Sequence, residues 1–117
     1  MADGDRIDEG RYSSDQYYYA WKGTDTAVAT TNGVWVDARG FKRFSVHVTL
    51  GGGAATVQIR GSNAVAIPAN SAHEVQIGAD ITADGITNVD VPLRWIKTRV
   101  SAYTSGTINA NCIKTTA

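Results

Sequence analysis

Strict alternation of apolar and polar side chains, rather than any helical spacing, governs this chain. From Arg43 to Leu50 the apolar residues Phe44, Val46, Val48 and Leu50 fall at every second position, and successive side chains of a strand point to opposite faces. One face of that strand is expected to be buried. Ala55, Val57 and Ile59 repeat the pattern against Thr56, Gln58 and Arg60. Near the C-terminus Ile96, Val100 and Ala102 oppose Trp95, Lys97, Arg99 and Tyr103, and Ile108 and Ala110 lead to Cys112. The stretch from Pro92 to Cys112 reads as a half-buried antiparallel ribbon turned at Gly106. The expected buried set is Val46, Val48, Val57, Ile59, Ile96, Val100, Ile108 and Cys112.

Turn residues punctuate these runs. Asn32-Gly33 tolerates the positive φ angles of a two-residue hairpin, which predicts pairing of 27–31 with 34–37. Gly51-Gly52-Gly53 reads as a hairpin loop between two core strands, and Pro68 marks a loop or edge segment because it cannot donate to a ladder. Val75 and Ile77 mark a short strand, whereas 81–90, with Asp84-Gly85, reads as a long connection. About seven strands with turns every ten or so residues predict an all-β fold, an antiparallel two-sheet β-sandwich with Greek-key or jelly-roll-like connections.

The chain has 117 residues, the size of one domain, and its character changes near residue 25. Residues 1–25 carry six acids against three bases and the remainder five against eight, so a leader of net −3 precedes a body of net +3. Residues 1–12 are polar and without apolar periodicity, as in an extended arm. Tyr17, Tyr18, Tyr19 and Trp21 then bring more buriable surface than a free tail carries. A helical turn from Ser13 or Ser14 and an extended segment added to a sheet edge both fit. The expected division is an N-terminal arm over 1–25, acidic then aromatic, and a β-sandwich domain over 26–117. The N-terminus shows no apolar signal region, and no stretch reaches the ~20 apolar residues of a spanning helix, so no membrane association is expected.

Catalytic chemistry finds no foothold. His47 and His73 are isolated, and no His, Cys, Asp or Glu group has recognised ligand spacing. Asp80, Asp84 and Asp90 do not match a calcium loop, and Gly51-Gly52-Gly53 lacks the Gly-Lys-Ser/Thr of a phosphate cradle. Cys112, the single cysteine, has no evident base and alternates with Ile108 and Ala110 as a buried structural thiol. The expected inventory is no catalytic residue, no cofactor and no metal. The remaining signal is aromatic and basic. Trp95, Lys97, Arg99 and Tyr103 share one strand face, with Arg43 and Arg60 candidates for a similar one. Such a face suits stacked bases, sugar rings or a protein interface. The chain has equal numbers of acids and bases and no nucleic-acid signature, so nucleic acid is not the expected partner. The candidate contact residues are Tyr12, Tyr17, Tyr18, Tyr19, Trp21, Trp95, Arg99 and Tyr103.

Two segments carry a family resemblance, Val57-Gln58-Ile59-Arg60-Gly61-Ser62-Asn63 and the run from Leu93 through Trp95, Tyr103 and Gly106 to Thr107. Over 34–115 the chain resembles small virion structural proteins of tailed bacteriophages. The resemblance implies a β-sandwich that decorates or cements the capsid, or builds part of the tail, usually as an oligomer. It further implies the major capsid protein as partner, a homotrimer at local three-fold positions, and a place on the capsid surface of the virion after synthesis in the host cytoplasm. The acidic aromatic leader lies outside the shared pattern, yet an extended segment of this kind suits a protein that clamps its neighbours. The alternatives are a tail, receptor-binding or carbohydrate-binding module, with Trp21, Trp35, Trp95 or Tyr103 stacking on glycan rings, and a small enzyme whose titratable groups converge in a cleft.

Overall fold

The computed structural model describes residues 2–13, 16–68 and 73–116, the side chains of residues 11–13 and 16 excepted. Its strands are β1 (Arg6–Ser13), β2 (Gln16–Ala27), β3 (Val36–Asp37), β4 (Arg43–Thr49), β5 (Ala55–Ser62), β6 (Val75–Gln76), β7 (Gly85–Val89), β8 (Trp95–Tyr103) and β9 (Ile108–Thr115). They form two antiparallel sheets, β1-β2-β9-β4-β7 and β3-β8-β5-β6, so the expected β-sandwich is the observed architecture.

The connectivity is that of a jelly roll with one added strand. β2 pairs with β9, β3 with β8, β4 with β7 and β5 with β6. The chain from β2 to β9 thus behaves as one long hairpin, folded over so that its two arms line both sheets. The eight residues expected in the core are all buried there, together with Trp21, Phe44, Leu50, Val89, Leu93 and Ala110. The alternation of the sequence therefore identifies the inner residues of β4, β5 and β9 and, on β8, Ile96 and Val100.

Several expected pairings differ from the observed ones. β4 and β5 are not a hairpin; the three glycines carry the chain from one sheet to the other. The 92–112 ribbon is likewise split, β8 lying in the small sheet and β9 in the large one. The two crossovers meet at one corner, where Ala54 N donates to Ser105 O at 3.1 Å and Thr104 N to Ala54 O at 2.9 Å. Asn32-Gly33 is not a hairpin turn either. Thr31 bridges Val100 on β8, and Gly33, at φ 76°, presses so close that a Cβ would overlap the Thr98 carbonyl oxygen. Residues 85–89, expected within a long connection, form the edge strand β7.

The leader is also more than an arm. Gly4 N donates to Lys22 O at 2.6 Å and Lys22 N to Asp5 O at 2.8 Å, and β1 pairs along β2. β2 is an internal strand whose Trp21 is only 1% exposed. The hydrophobic gain from burying so large a side chain holds β2 in the sandwich.

Candidate interaction surface

The aromatic run Tyr17-Tyr18-Tyr19 lies on β2, where alternation sends neighbours to opposite faces. Tyr19 turns inward, its ring 6.5 Å from that of Trp21 at 37°. Tyr18 turns the other way and lies across β1, with its hydroxyl donating to Asp8 Oδ2 at 3.0 Å. Gly10, its cross-strand partner, makes room for it: a Cβ there would stand 2.7 Å from the Tyr18 ring and hydroxyl. Tyr17, Tyr18 and Tyr19 thereby line, with Glu9, Gly10 and Phe41, a concavity of about 560 Å³ at the end of the sandwich.

Beneath its aromatic wall sits a buried cation. The ammonium of Lys114 is 4.5 Å from the centres of the Tyr19 and Phe41 rings and 5.8 Å from Trp21, and it donates to the Asp37 carbonyl oxygen. Desolvation pushes its pKa below the ordinary lysine value, opposed by the Asp37 charge. The ring quadrupoles and the carbonyl replace part of the lost hydration. Among the described residues Trp21 Nε1 is the buried side-chain polar atom that finds no acceptor. Asp37 itself pairs outward with Arg39 at 2.6 Å, and that hydrogen bond holds its pKa down at about 2.

The small sheet carries a second polar cluster. Glu74 accepts from Lys97 at 3.0 Å and Arg60 at 3.2 Å, and Lys97 lies 4.6 Å from the Trp35 ring centre. Lys97 and Glu74 are buried, so Lys97 is a structural cation. Trp95 donates from Nε1 to the Ala64 carbonyl at 3.1 Å, which pins the loop after β5, and Arg39 lies 5.9 Å from its ring.

The candidate residues consequently divide into separate places. Tyr17, Tyr18 and Tyr19 share one concavity, with Trp21 in the core behind them. The Tyr12 side chain lies outside the described residues. Trp95 and Arg99 belong to the other sheet, and Arg99 lines a shallow polar hollow of about 210 Å³ with Thr30, Thr31 and Asn32. Tyr103 does not share their face. A bulge between the Thr56–Ala102 and Val57–Val100 pairs rotates the following residues by one position, so Ala102 is exposed and Tyr103 packs on the core. Its hydroxyl donates to Gly106 O at 2.7 Å. Arg43 and Arg60 are also on different sheets.

Sequence reasoning missed Phe41, Lys114 and Glu74. Lys114 carried a signal: it continues the inward register of Ile108, Ala110 and Cys112. Cys112 is buried as expected, and desolvation raises its pKa to about 12. His47 and His73 are exposed, and among the described residues no three or more His, Cys, Asp or Glu side chains gather into a metal-binding group.

No protein-family model and no curated protein sequence matches the chain. Among solved structures it is similar to the SPBc2 prophage-derived protein YomS, with TM-score 0.70 and 11% identity over 91% of this chain and 99% of that one. It is also similar to the PBSX exported protein XepA, with TM-score 0.68 and 11% identity over 88% of this chain. There it spans only 39% of the longer protein. At such identity the likeness is one of fold, and this jelly-roll sandwich is one that phage-derived proteins adopt as a whole chain and as part of a larger one.

Proposed function

We propose that the chain is a non-enzymatic structural protein of a phage particle, a decoration or cement protein that binds across joints between major capsid protein subunits. The observation that carries this reading is the near end-to-end likeness of its fold to a prophage-derived protein. The use made of its reactive groups agrees with it. Glu74 is held by two cations, Asp37 by Arg39, and the Cys112 thiol is sealed in the core. The Tyr17–Tyr19 concavity offers the aromatic surface that interfaces favour, with Trp95 and Arg99 as a lesser contact on the other sheet. Assembly as a homotrimer at local three-fold positions completes the proposal.

The test is co-sedimentation of purified protein with heads of the encoding phage that lack it. Binding to heads that is lost in a Tyr17→Ala/Phe41→Ala variant supports the reading, and no binding to heads before or after expansion contradicts it. A second reading has its own observations, the aromatic walls beside the Glu9 carboxylate and a structural relative described as exported. It is a receptor- or carbohydrate-binding module of a tail, and glycan binding by the isolated chain with no head binding would favour it.

A further inference from the structure

The two sheets have four edges, and the chain guards three of them. β3 and β6 are two residues long. β1 carries Arg6, Asp8 and Glu9 and is broken by register shifts at both ends of its ladder. Shortness, charge and bulges are the devices that keep a sheet edge from pairing with another chain. β7 has none of these. Its residues Gly85-Ile86-Thr87-Asn88-Val89 are uncharged and rich in β-branched side chains, and they run beside β4 without a break in register from Val89 opposite Phe44 to Gly85 opposite Val48. Among the described residues β4 is the backbone partner of β7, and Ile86 is 64% exposed on it.

We propose that β7 is an interface strand and that its occupant is β7 of a second copy, paired antiparallel about a two-fold axis at Ile86. An isologous antiparallel pair sets one residue opposite itself, and the flanking charges select which one. Centred on Thr87, Ile86 would face Asn88 and Asp84 would face Asp90 of the other copy, two acids in register that Arg43, 3.7 Å from Asp90, only partly offsets. Centred on Ile86, the exposed isoleucines cover each other, Gly85 faces Thr87 and Asp84 faces Asn88, whose amide can donate to the carboxylate. No like charges then stand opposite. The pairing joins two five-stranded sheets into one of ten strands. It stands on the sheet edges alone and does not depend on the phage reading. Five residues a side bury little area, so the contact is weak in solution.

Cysteine cross-linking of the full chain under mild oxidation, read on a non-reducing denaturing gel, tests both the edge and the register. The native Cys112 is 1% exposed and contributes no background. Ile86→Cys places two thiols opposite each other at a separation a disulfide can span, whereas Thr87→Cys leaves them displaced and on the other face of the sheet. The expected result is a clear dimer band for Ile86→Cys and little or none for Thr87→Cys, and loss of the two-fold contact, with any three-fold assembly retained, in Ile86→Lys with an unchanged circular dichroism spectrum. Absence of the Ile86→Cys dimer, or equal bands for the two variants, overturns the proposal.

Discussion

The hydroxyls of Thr24 and Thr98 share a buried 2.8 Å hydrogen bond that joins β2 to β8 across the interior of the sandwich. It ties the leader to the opposite sheet. Removal of one partner strands a buried hydroxyl, whereas removal of both leaves an apolar pair of similar shape. Thr24→Val or Thr98→Val alone is expected to cost about 1–2 kcal/mol, and the double variant less than the two together. Urea unfolding of the four proteins measures the coupling. The same bond predicts that deletion through residue 25 abolishes cooperative unfolding, since it also removes Trp21.

Gly33→Ala tests the close passage over β8. The new methyl group would meet the Thr98 carbonyl, and the positive φ adds strain for any residue with a Cβ. We expect a loss of about 2 kcal/mol or more, visible as a fall in Tm, while Gly40→Ala, which meets nothing within 4 Å, bears only the backbone cost.

Glu74 is the shared anion of Arg60 and Lys97, with side chains 5%, 15% and 9% exposed. Glu74→Gln leaves two largely buried cations without a carboxylate and is expected to destabilise by about 3 kcal/mol. A triple variant with apolar residues of similar volume at all three positions is expected to recover most of that loss. Thermal unfolding distinguishes the two.

Cys112 gives the fold an alkaline limit. An acid whose pKa rises on folding favours its protonated form in the native state, so this contribution is intact below the ordinary thiol value of 9.0 and fades as pH rises toward about 12. Chemical denaturation across that window should show the native protein losing stability faster than Cys112→Ala. At neutral pH the native thiol should not react with a thiol reagent until denaturant is added.

Strand faces were legible in the sequence because burial alternates locally: Val46 and Val48, or Val57 and Ile59, announce their inner side within a few residues. Strand partners were not legible. A jelly roll pairs β2 with β9 and β3 with β8, contacts made across most of the chain, whereas turn chemistry speaks only for neighbours. Asn32-Gly33 and the Gly51–Gly53 run were therefore read as hairpins when one is a close backbone passage and the other a crossover. Tyr103 was assigned outward because a single bulged residue inverts every later assignment on its strand. Tyr17, Tyr18, Tyr19 and Trp21 were read alike as candidate contacts, but Trp21 belongs to the core. Only the folded sandwich, in which Trp21 is 1% exposed while Tyr17 is 45% exposed, explains the difference.

Quantitative mass spectrometry of purified particles of the encoding phage tests the central claim most directly. A structural protein that covers joints of the capsid should be present in numbers comparable to those joints, in a fixed ratio to the major capsid protein, and should remain through density-gradient purification. Its absence from the particles, with the protein recovered instead from the medium as a free species, would contradict the account.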